Sequence, residues 1–106
     1  MERSDFTALS TRALEHLEQA LGGLEHDALD VQLAGDVLTL AFSDGSRFVI
    51  NAHSAAGQIW MAAGRTAWHF DWIPARSQWV AAKNGDELMS TLARVVGDKL
   101  GAPVSL

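Results

Sequence analysis

Val37-Leu38-Thr39-Leu40-Ala41-Phe42-Ser43-Asp44-Gly45-Ser46-Arg47-Phe48-Val49-Ile50-Asn51 is the stretch on which the fold turns. Successive side chains of an extended strand point to opposite faces. On that rule Leu38, Leu40, Phe42, Phe48 and Ile50 fall on one face, while Thr39, Arg47 and Asn51 fall on the other. Asp44-Gly45 between the two runs is a tight hairpin signal, because both residues tolerate the backbone conformations of sharp reversals. The stretch therefore reads as an antiparallel hairpin with one buried face and one wet face.

Moving outward, the same alternation recurs from Leu29 to Leu33, Gln58 to Ala62, Thr66 to Trp72 and Gln78 to Ala81. Gly35-Asp36 and Ala63-Gly64-Arg65 are weaker turn signals between neighbouring runs. Six short strands in a meander are expected. In Gln58-Ile59-Trp60-Met61-Ala62, Ile59 and Met61 take the apolar side and Gln58, Trp60 and Ala62 the other. In Trp68-His69-Phe70-Asp71-Trp72 the three aromatics share one side, and His69 and Asp71 the wet one. Trp68, Phe70, Trp72 and Trp79 read as core, since large aromatics at inward positions fill a sheet–helix interface.

Before the strands, Phe6, Leu9, Ala13, Leu17, Leu21 and Leu24 recur every three or four residues, the stripe of an amphipathic helix. Ser4 is its expected N-cap, and Gly22-Gly23 its stop, on the ground that glycine readily takes the left-handed conformation. After the strands, Asn84-Gly85-Asp86 opens a second helix with Asp86 as N-cap, and Leu88, Leu92, Val95, Val96 and Leu100 give its spacing before Gly101 and Pro103 end it. The expectation is one α+β domain over residues 1–106. It is an α-β sandwich with two helices on one face of an antiparallel sheet of about six strands.

At 106 residues, 48% hydrophobic and 20% charged, the chain can bury a core and lies far from the composition of disordered segments. It has no cysteine, which excludes disulfides, thiolate metal sites and clusters held by its own sulfurs. Met1-Glu2-Arg3-Ser4-Asp5 lacks the basic and apolar regions of a signal peptide, and no apolar run approaches a membrane span of about 20 residues. No membrane association and a cytoplasmic location are expected.

Charge is uneven. Residues 1–36 carry eight acids against Arg3 and Arg12, whereas residues 37–106 carry five acids against six bases. One lobe is therefore anionic, attractive to cations or to a basic protein and repellent to phosphates, so nucleic-acid binding is disfavoured. Within that lobe Glu15, Glu18, Glu25, His26, Asp27 and Asp30 form a candidate metal group, running from the first helix to the first strand. Carboxylate oxygens suit hard cations and His26 adds a nitrogen. The spacing matches no closed site, however, and exposed carboxylates on a helix also read as a solvated face. The second candidate is the wet sheet face with Asn51, His53, Gln58, Trp60 and His69. Trp60 there is either an interface anchor, as aromatics are in binding hot spots, or a side chain tucked under the 52–57 loop. His53 and His69 are either surface residues or ligands of a transition metal. A cysteine nucleophile, a serine nucleophile elbow and a phosphate-binding glycine loop are all missing.

Taken in order, several segments resemble the frataxin family, in particular its bacterial members. They are the acidic first helix, Asp36-Val37-Leu38-Thr39-Leu40 with its hairpin into Phe48-Val49-Ile50-Asn51, and Gln58-Ile59-Trp60. His69-Phe70-Asp71-Trp72, Gln78-Trp79-Val80 and Asn84-Gly85-Asp86 complete the set, so the resemblance covers essentially the full length. It implies a largely monomeric α-β sandwich that binds iron, Fe(II) or Fe(III), weakly through surface carboxylates. It further implies docking on the cysteine desulfurase and iron–sulfur scaffold complex to modulate cluster assembly, without conventional enzyme activity. The family's acidic ridge falls on Glu18, Glu25, Asp27 and Asp30, with Glu15 and Asp5 nearby. Its sheet surface falls on Asn51, Gln58 and Trp60, with His53 and His69 adjoining. Gly22-Gly23, Gln19 and Gln32 stand where bacterial relatives often have acids, which implies a lower metal affinity or one shifted toward His26. Ala55 replaces a usual proline before Gln58, which loosens that loop. Two further readings remain: an interaction module for which iron is incidental, and a carboxylate ferroxidase.

Overall fold

Alternation of apolar and polar residues produces a six-stranded sheet, and the helical stripes produce two helices laid on it. The computed structural model describes residues 1–106 in the order α1 (Arg3–Gly22), β1 (Leu29–Ala34), β2 (Val37–Phe42), β3 (Arg47–His53), β4 (Gln58–Ala63), β5 (Thr66–Ile73), β6 (Gln78–Ala81) and α2 (Leu88–Leu100). Each strand pairs antiparallel with the next, so the sheet order is β1-β2-β3-β4-β5-β6. The turns at Gly35-Asp36 and Gly64-Arg65 are two-residue reversals in which glycine takes the positive φ, +60° and +63°. A side chain there would meet the strain that primed turns reserve for glycine.

Leu38, Leu40, Ile50, Ile59 and Phe70 point to the covered face and are fully buried. From α1, Leu14, Leu17 and Leu21 pack onto that face, and from α2, Leu88, Leu92 and Val96, giving one cluster of 21 buried residues. Leu29, Val31 and Leu33 are only half-buried, because β1 is an edge strand with a neighbour on one side alone. The N-terminal end of α1 reaches the opposite edge, where Phe6 meets Trp79 edge-to-face at 5.8 Å. No helix is long and apolar enough to cross a membrane.

Helix ends depart from the sequence reading. The N-cap of α1 is Glu2, without a side-chain capping bond, and Ser4 lies inside the helix. Gly23 caps the other end in a right-handed conformation, its N–H bonding to Gln19 O and Leu21 O, and the left-handed residue is Glu25 at φ 49°. At α2 the cap is Glu87, whose carboxylate accepts from the Met89 and Ser90 N–H groups at 2.7 and 3.0 Å. Asp86 is diverted from capping because its carboxylate accepts the Trp68 indole N–H at 3.0 Å, fastening the helix entry to β5.

The β2–β3 turn is pinned to α2. Asp44 Oδ1 accepts from the Ser46 N–H and hydroxyl at 2.9 and 2.6 Å, and its other oxygen pairs with Lys99, whose ammonium lies 5.9 Å from the Phe42 ring centre. The Lys99 contact, then the Ser46 bonds, hold the Asp44 carboxyl far below its ordinary value of 3.8. A carboxyl lowered in the folded state stabilises above its unfolded value and loses that contribution as pH falls through the folded one. Below pH 3.8 the parent protein is therefore expected to lose thermal stability more steeply than a Lys99→Met variant. The effect is small, since the pair is open to solvent. Parallel curves of melting temperature against pH would rule this pairing out as a source of acid sensitivity.

Candidate functional site

Strands β3, β4 and β5 bring the wet-face candidates into one row, because the register pairs Asn51 with Trp60, Trp60 with His69, His53 with Gln58, and Gln58 with Asp71. Trp60 is half-buried, and neighbouring rings cover it. The His53 imidazole stacks on it at 3.8 Å and 19°, and the His69 imidazole at 4.4 Å and 14°. The indole N–H donates to Gln58 Oε1 at 2.8 Å, and the Gln58 amide donates onward to Asp71 Oδ1 at 3.0 Å. A flat, hydrogen-bonded aromatic row thus lies on the uncovered side of the sheet. Its rotamers are fixed before any partner arrives, which lowers the ordering cost of binding.

The stack bears on two questions that spacing left open. Trp60 is half-buried between His69 and His53, the latter within the 52–57 segment. The two imidazoles lie on either side of the indole, so they cannot share one metal ion in this arrangement. The loop expected to be loose at Ala55 is tied at its next residue. The Ala56 N–H is shared between His53 Nδ1 and the His53 carbonyl, both at 3.2 Å. With Nδ1 accepting, the neutral His53 ring carries its proton on Nε2.

The acidic candidates are arranged differently. Glu15 and Glu18 stand on α1, on the covered side; Glu25, His26 and Asp27 lie in the connection to β1; Asp30 is an outward residue of β1. They are strung around one edge of the sheet, all exposed except the half-buried Glu18. Nowhere in the molecule do three His, Asp or Glu side chains converge closely enough to hold a metal ion. His26 Nδ1 accepts the Ala28 N–H at 3.1 Å, so ligation through Nε2 requires the ring to shift its proton and give up that bond. His26, Asp27 and Asp30 do line one shallow depression with Phe42 and Ser43. The arrangement offers diffuse negative potential along an edge and no preformed chelate.

The family model for a frataxin-like domain matches residues 1–102. The chain belongs to the frataxin family. Among curated frataxin relatives, the iron-sulfur cluster assembly protein CyaY of Dechloromonas aromatica is 36% identical over 100% of this chain and 99% of its own length. The protein of the same name from Tolumonas auensis is 33% identical, with the same shares covered. Among solved frataxin structures, that of Psychromonas ingrahamii superposes with a TM-score of 0.90 over 99% of this chain and 97% of its own, at 23% identity, a likeness of fold alone. Trimeric frataxin from Saccharomyces cerevisiae, complexed with ferrous, gives a TM-score of 0.78 and 28% identity over 88% of this chain and 86% of its own.

Asp71 belongs to the frataxin sheet row as well, because it fixes the amide that fixes Trp60. Alternation in Trp68-His69-Phe70-Asp71-Trp72 already placed it on the wet side. Only the strand register could show that it pairs with Gln58.

Proposed function

We propose that this protein modulates iron–sulfur cluster assembly by docking on the cysteine desulfurase and scaffold complex, with iron bound weakly by surface carboxylates. The observation that carries this reading is family membership over residues 1–102, joined to the pre-ordered row of Asn51, His53, Gln58, Trp60 and His69 on the open sheet face. Trp60 is the anchor, and the anionic edge from Glu15 to Asp30 supplies long-range attraction to a basic partner surface and to Fe(II) or Fe(III). The protein acts in the cytoplasm as a monomer and performs no turnover of its own. A ferroxidase role is the weakest alternative, because exposed carboxylates lack the dry, preorganised surroundings that catalysis of electron transfer to oxygen would use.

A second reading, an interaction module for which iron is incidental, draws support from the failure of any three ligands to converge. Amide spectra separate the two. Under the iron-binding reading Fe(II) broadens residues 15–30 selectively, and the Glu18→Gln/Asp27→Asn double variant loses the effect. Equal, weak broadening by any divalent ion supports the module instead. Docking is expected to weaken as ionic strength rises, since about 0.15 M salt screens charges beyond about 8 Å. Desulfurase affinity that ignores salt would remove the acidic edge from the docking model.

A further inference from the structure

On the covered side of the sheet, α1 and the start of α2 leave a groove of about 470 Å³ above β5 and β6, within the size range of small-molecule sites. Its floor is Trp72 and Trp79, opposite each other in the register, with ring centres 5.4 Å apart. Trp79 is sealed at 3% exposure, whereas Trp72 remains half open, so one indole surface is left for an apolar body to cover. Leu9 and Met89 wall the groove from the two helices.

Its polar side carries one unpaired cation, Arg12. Arg12 and His16, four residues apart on α1, line the same groove and neither has an ion-pair partner; the molecule's ion pairs are Arg94–Asp86 and Lys99–Asp44. Glu87 is the one acid in the lining, and each of its oxygens accepts a backbone N–H, from Met89 and from Ser90, which holds it to the helix start. Arg12 is thus a guanidinium without an ion pair in a groove floored by indoles, within the segment of residues 1–36 where two bases stand among eight acids.

We propose that this groove is a binding site for a small amphipathic carboxylate, with its apolar body on Trp72 and its carboxylate on Arg12, assisted by His16. The chemistry selects that class. A wholly apolar ligand would bury the Arg12 charge without a partner, and a compact polyanion would leave the indole wet. A guanidinium fork matches a carboxylate through two parallel hydrogen bonds. The site lies across the sheet from Trp60.

The test uses the full chain, labelled for amide spectroscopy, and 4-phenylbutanoate as probe. Saturable shifts are expected at residues 9–16, 72–79 and 87–89, with residues 51–60 unmoved. The uncharged 4-phenylbutanamide and an Arg12→Gln variant should each weaken binding by about tenfold, the usual scale for losing a charge-assisted pair. Arg12 is exposed, so the variant keeps the parent fold, which the unshifted remainder of its spectrum verifies. Equal affinity for the amide, an unaffected Arg12→Gln variant, or shifts that never saturate would each overturn the assignment.

Discussion

Phe70→Ala is expected to lower the thermal midpoint by about 12–40 °C, from a loss of about 3–5 kcal/mol at about 4–8 °C per kcal/mol. Phe70 has no exposed surface and sits in β5 between Ile59 of β4 and Ala81 of β6, the three aligned on the covered face. Both helices press on that face, so neighbouring strands cannot close over the vacated volume without lifting a helix. Domains of this size hold about 5–15 kcal/mol in total, and the variant would approach the edge of folding at physiological temperature. Circular dichroism melts of parent and variant measure it. A fall of under about 5 °C would mean that the covered face relaxes around the hole, contrary to the tight packing of this core.

Trp60→Ala is expected to weaken docking on the cysteine desulfurase complex by about 30-fold or more, the consequence of removing an anchor worth about 2 kcal/mol. The loss has two parts. The indole's own contact area disappears, and His53 and His69 lose the ring that holds both of them in place. The side chain lies on the uncovered face, so the melting temperature should change far less than for Phe70→Ala. Affinity is read by calorimetry against the purified complex, with a melt of the same sample as control. An affinity within about threefold of the parent would exclude this face from the docking interface.

Sheet and core were legible in the sequence because a period of two leaves little freedom: once Leu38, Leu40, Phe48 and Ile50 are assigned inward, the side of each residue in those strands follows. The two helices were legible for the matching reason at a longer period. Helix ends were not, because capping is settled by competition among neighbouring polar groups. Asp86 would cap α2 if the Trp68 indole did not claim its carboxylate, and a contact between residues 18 positions apart leaves no local trace. At the candidate site, parity placed Gln58, Trp60 and His69 together, while the stacking of two imidazoles on one indole came from a directly opposite neighbour, His69, and a diagonal one, His53, across three strands. The acidic edge was legible as composition alone. Spacing along a chain does not tell whether carboxylates converge, and here they surround an edge instead.

The pairing of every strand with its successor bears on how the molecule assembles. Each hairpin closes over a short loop, so the sheet can zip from one turn to the next without costly searches for distant partners, the regime in which folding is fast. The contact between Phe6 and Trp79 is of a different kind, joining one end of the chain to the far edge strand. Closing over more than seventy residues, it carries a larger entropy cost than any hairpin and is expected to form after the meander beneath it.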